Sequence, residues 1–102
     1  MPLRFTQEPG RVTAYLSGEI DHQVAREMML ALDREVALRA PARLQVDMSE
    51  VTFMDSSGIA VLLRVWKRLE GAAARMRVVG VPPQPKKVFH AAGLDKIIPM
   101  EP

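Results

Sequence analysis

Cysteine is absent from this chain, which excludes disulfides, thiol redox chemistry and thiolate metal sites. Histidine is nearly absent, and with only His22 and His90 available no metal site is expected. There is no excess of one charge. Fourteen basic residues face twelve acidic ones, a net charge of +2 that is too small to argue for nucleic acid. The basic residues are scattered along the chain, and only Lys86-Lys87 are adjacent, without stacking aromatics beside them. Long apolar runs are missing too: none approaches the ~20 residues needed to span a bilayer. The opening Met1-Pro2-Leu3-Arg4-Phe5 lacks the apolar core of a signal peptide. A cytoplasmic location with no membrane attachment and no direct nucleic-acid contact is therefore expected. What is present is 102 residues, 48% hydrophobic and 25% charged. That suits one globular domain spanning residues 1–102, with a single core.

The order of elements reads β-β-α-β-α-β-α-β. Residues 11–16 are rich in β-branched and aromatic side chains and follow the turn signal Pro9-Gly10, so they pair as a hairpin with residues 3–7. Ser17-Gly18-Glu19 is expected to end that strand, and Asp21 to cap a helix over 22–39. Ala25, Met28, Met29, Leu32 and Val36 recur in that helix at helical spacing, and Pro41 stops it. Residues 44–48 read as a buried strand, 49–54 as a loop, and a second helix runs from Asp55-Ser56-Ser57-Gly58 to about Gly71. Its buried stripe is expected to be Ile59, Leu62, Leu63, Trp66 and Leu69. A strand at 76–81, a short helix with Pro85 in its first turn and Gly93 as its C-terminal cap, and a last strand at 96–100 complete the chain. The fold class is α/β: a mixed sheet with an antiparallel N-terminal hairpin and helices packed on it.

Strand-to-helix turns carry function in sheets of this kind. Ser56 stands at one, where unpaired backbone amides and the positive end of the helix dipole would welcome a phosphate. The competing reading is that Ser56 or Ser57 merely caps the helix, a task Asp55 could also perform. Gly58, in the first turn, serves close approach of a phosphoryl donor or tight packing on the sheet. Asp21 either caps its own helix or faces the Ser56 turn as part of a partner surface, with His22 beside it. Val61 and Val65 lie near Arg64 beside the expected stripe, where they form either core or a half-exposed docking strip next to Ser56. No catalytic constellation is present: there is no Gly-Xaa-Ser-Xaa-Gly elbow, and neither histidine has a serine–acid pairing.

Three segments resemble the STAS domain, in particular the stand-alone anti-sigma factor antagonists of bacteria. They are Leu16-Ser17-Gly18-Glu19-Ile20-Asp21-His22, Val46-Asp47-Met48-Ser49 and Phe53-Met54-Asp55-Ser56-Ser57-Gly58-Ile59. The closing Gly93-Leu94-Asp95-Lys96-Ile97-Ile98 fits the same family. The resemblance implies a partner switch with no cofactor and no enzymatic activity of its own. Unmodified, such a protein binds an anti-sigma factor that is also a serine kinase, and so frees the sigma factor for transcription. The kinase phosphorylates the serine after the motif's Asp, Ser56 here, and a serine phosphatase resets it. Asp21, His22, Asp55, Ser57, Gly58, Val61, Arg64 and Val65 complete the expected partner surface. Two departures stand out: Ala60 replaces a frequent second glycine, and the chain ends at Pro102, where many relatives carry one more helix.

Two other assignments compete. One keeps the fold and makes the chain an accessory subunit of a lipid or anion transporter or of a stress-signalling complex. The intact Ser56 favours the kinase substrate over it. The other is a phospho-aspartate receiver with Asp47 as acceptor, which requires an acidic pair after its first strand that residues 3–6 do not supply.

Overall fold

The computed structural model describes residues 2–102. Five strands form one sheet in the order β1 (Leu3–Glu8), β2 (Arg11–Ile20), β3 (Arg43–Met54), β4 (Arg75–Val79) and β5 (Met100–Glu101). The hairpin β1–β2 is antiparallel, turning at Gly10 with φ of 79°. Every later pairing is parallel, so each needs a helical crossover: α1 (His22–Arg39), α2 (Ser56–Gly71) and α3 (Pro83–Ala92). Because each crossover steps one strand in the same direction, right-handed connections place all three helices on one face of the sheet. The other face is left to solvent.

The core follows from that layering. Val12, Ala14 and Leu16 of β2, Leu44, Val46 and Met48 of β3, and Met76 and Val78 of β4 alternate toward the helices. They meet Ala25, Met28, Leu32 and Val36 of α1, whose spacing matches the sequence expectation. Phe89 of α3 is wholly buried. Gly93 ends α3 in the left-handed region, at φ of 72°, and Leu94 packs beneath it.

Four expectations need correction. The strand over 11–16 continues to Ile20, and residues 49–54 are strand rather than loop. The reason is a pair of register shifts between β2 and β3, at Tyr15/Ser17 and Gly18/Glu19. Beyond them the buried positions of β3 fall three apart, Met48, Val51 and Met54, and the two-residue alternation that marks a strand disappears. Third, 96–100 is not a strand: a single 3-10 turn, Leu94–Lys96, precedes the two-residue β5. Fourth, the buried face of α2 is Gly58, Val61, Leu62, Val65 and Leu69, whereas Ile59, Leu63 and Trp66 are only partly covered. The helix turns its smaller residues inward because it lies close on the sheet and against α1.

Gly58 makes that close approach visible. A Cβ there would lie 2.5 Å from both Cγ and Sδ of Met54, and Met54 is itself fully buried. Helix propensity alone would favour alanine by about 1 kcal/mol. Overpacking costs about 1–3 kcal/mol. Gly58→Ala is therefore expected to lower stability by about 1 kcal/mol net, read as a lower midpoint in urea unfolding with an unchanged slope. A raised midpoint would show that Met54 has room to move.

Candidate functional site: the Ser56 turn

The parallel pairing of β2 and β3 brings two strand-to-helix turns side by side. Ile20 and Met54 are register partners at the strand ends, and the Asp55 amide donates to the Ile20 carbonyl at 3.3 Å. Asp21-His22 and Asp55-Ser56, 34 residues apart in sequence, thus share one edge of the sheet.

Both aspartates are helix caps. Asp21 Oδ1 accepts from the Val24 amide at 2.9 Å and Asp55 Oδ1 from the Ser57 amide at 2.8 Å, each residue being in extended backbone. A cap of this kind contributes about 1 kcal/mol. It also resolves the ambiguity over Ser56. Since Asp55 holds the cap, neither serine is needed for it, and Ser56 becomes the first residue of α2, exposed to solvent. Its hydroxyl makes no side-chain hydrogen bond among the described residues. Ser57 is less free: its Oγ lies 3.5 Å from His22 Nδ1, a side-chain hydrogen bond that joins the two turns.

The remaining expected site residues divide. Asp21, His22, Asp55, Ser56 and Ser57 gather at the edge, with Gly58 packed beneath it. Val61 and Val65 do not join them. Each is 1% exposed, so the proposed docking strip is core. Arg64 points elsewhere as well: its Nε donates to Asp33 Oδ2 of α1 at 3.0 Å, and Arg68 reaches Asp33 Oδ1 at 3.4 Å. That cluster ties α1 to α2 along their exposed seam.

Two residues outside the expected set belong to the site's surroundings. β3 pairs with β4 only from Arg43 to Asp47, leaving its upper half without a strand partner on that side. Gln84, in the first turn of α3, fills the gap. The Met54 amide donates to Gln84 Oε1, and Gln84 Nε2 donates to the Met54 carbonyl, both at 2.9 Å. This two-point clamp fixes the strand end directly before Asp55. No local pattern announces it, because the partners are 30 residues apart. Phe53, just before the clamp, is 42% exposed and supplies the large apolar surface near Ser56 that the valines do not.

A mixed five-stranded sheet with three helices on one face and an exposed serine at a helix start defines a layered α/β domain. The pattern of the STAS domain matches residues 3–102, and the chain belongs to that family. It is 30% identical over 91 residues to the anti-sigma F factor antagonist of Paenibacillus polymyxa, covering 89% of this chain and 78% of that one. An anti-sigma factor antagonist from Mycobacterium paratuberculosis superposes with a TM-score of 0.88 at 30% identity, over 98% of this chain and 84% of that one. The phosphorylated form of SpoIIAA, a Bacillus cell fate determinant, shares the fold with a TM-score of 0.75 at 24% identity, over 98% and 91% of the two chains.

Proposed function

We propose that this chain is an anti-sigma factor antagonist whose binding to its partner is switched by phosphorylation of Ser56. The observation that carries this reading is the division of labour at the turn: Asp55 caps α2, which leaves the Ser56 hydroxyl exposed and uncommitted. The unmodified surface around Asp21, His22, Ser56, Ser57 and Phe53 docks on an anti-sigma factor that is also a serine kinase. The kinase supplies ATP and magnesium, and this chain supplies only the acceptor oxygen. A serine phosphatase restores the hydroxyl.

Chemistry at the turn supports both halves of the cycle. A phosphate on the first residue of α2 sits at the positive end of the helix dipole, so the fold tolerates it. It also adds nearly two negative charges beside the Asp55 carboxylate and close to the Asp21 turn. A partner surface matched to the neutral hydroxyl then meets repulsion and an unpaired dianion.

The test is capture of the tagged chain's partners from the native lysate, followed by incubation with ATP and mass spectrometry. A single phosphate on the peptide bearing Ser56, absent in Ser56→Ala, is expected. Phosphate elsewhere, or none while an anti-sigma kinase is bound, would overturn the assignment of the acceptor.

A further inference from the structure

The open face of the sheet carries an arrangement that the Ser56 switch does not use. At the end of the sheet opposite Ser56, where the parallel strands begin, Arg11, Arg43 and Arg75 are register partners across β2, β3 and β4. Parallel register puts three guanidinium groups on one face at neighbouring-strand spacing, about 4.8 Å per step at the backbone. Like charges directly opposite one another are destabilising in a sheet. Arg77 lies one row above, beside Gln45.

The neutralisation of this row is incomplete. Arg11 pairs with Glu8 at 2.7 Å and Arg77 with Glu101 at 2.8 Å, both carboxylates standing at the margins. Arg43 and Arg75, adjacent in the row, have no ion-pair partner among the described residues. The Nε of Arg11 is out of solvent and without a hydrogen-bond partner. These groups do not lie on a flat surface. A cleft of about 460 Å³ lies at this end of the sheet and takes in side chains from both of its faces, Arg11, Arg43, Arg75 and Arg77 from the open face and Met76 and Trp66 from the helix-covered one, with no acidic residue in its wall. The cleft can form because β5 pairs with β4 only at Val78 and Val79, which leaves the lower edge of β4 uncovered. Its size falls within the range of small-ligand sites.

We infer that this cleft binds a small polyanion, a molecule carrying clustered phosphate or carboxylate groups, through Arg43 and Arg75 with Trp66 at its wall. Guanidinium groups in a row present paired N–H donors to such oxyanions. A bound anion would also relieve the repulsion among them. The site stands apart from Ser56 and does not depend on its role.

Trp66 is the only tryptophan and lines the cleft, so its fluorescence serves as the reporter. The full chain is titrated at low ionic strength with tripolyphosphate in one arm and citrate in the other, to separate phosphate from carboxylate recognition. A saturable change is expected in at least one arm. The double variant Arg43→Gln/Arg75→Gln should weaken it at least tenfold, whereas Ser56→Asp should leave it unchanged. Thermal unfolding of the double variant should be unchanged or raised, since it removes repulsion rather than a contact. A signal that does not saturate at millimolar anion, or one that persists at full affinity in the double variant, would overturn the inference.

Discussion

Replacing Ser56 with aspartate should weaken binding to the anti-sigma partner at least tenfold, and true phosphorylation should weaken it about a hundredfold. The larger figure corresponds to about 2.7 kcal/mol. That is within reach of one buried, unpaired charge pressed against an interface built for a hydroxyl. Aspartate carries a single charge on a shorter arm, so its effect is smaller. Ser56→Ala removes only the acceptor oxygen and should bind within about twofold of the parent while resisting the switch. Because Asp55 already caps α2, neither substitution removes a helix cap. Both variants should unfold at nearly the same denaturant concentration as the parent, which separates loss of docking from loss of fold. Calorimetry with the purified partner makes the measurement. Equal affinity for Ser56→Asp and the parent would remove Ser56 from the interface.

Gln84→Leu should cost about 2 kcal/mol of stability, through the loss of two part-buried hydrogen bonds. Gln84 meets both the amide and the carbonyl of Met54, and leucine offers a partner to neither. A fully buried donor or acceptor left unsatisfied costs about 1–3 kcal/mol, and because both of these bonds are part-buried the loss for each lies at the lower end. Gln84→Glu keeps an acceptor for the amide and loses the donor, so it should fall between the two. The clamp also holds the strand end that delivers Asp55 and Ser56. Partner affinity should therefore decline in Gln84→Leu even under conditions where the chain remains folded. Urea unfolding tests the first statement and calorimetry the second. A loss below about 0.5 kcal/mol would mean that the strand end is held by its pairing with β2 alone.

Gln84 also marks where local reading of the sequence stops. Asp21 was legible as a cap because a cap is a short-range bargain, struck with an amide a few residues along the same chain, whereas Asp55, Ser56 and Ser57 all suited the start of α2 and only the structure chose Asp55. The span of α1 was legible for the same reason: its apolar spacing and Pro41 need no knowledge of the sheet. The upper half of β3 was not, since the register shifts that hold it in the sheet lie in its pairing with β2. The identity of the buried valines on α2 depended on which side of the helix met α1 and the sheet. Helical spacing alone allowed either the larger or the smaller set of apolar residues to face inward.

Arginines 11, 43 and 75 give the clearest contrast. Along the chain they are isolated residues, one β-α repeat apart, and composition reads them as a dispersed and nearly balanced charge. Parallel pairing in register converts that spacing into a row. The sequence by itself determined the order of elements, the cap of α1 and the strand-to-helix turn at Ser56, because hydrogen bonds and apolar periodicity within a few residues are enough to specify each. Only the tertiary structure decided which turns became neighbours, which valines were sealed and which charges met. Those outcomes depend on strand order and register, which bring together groups that no local interaction connects.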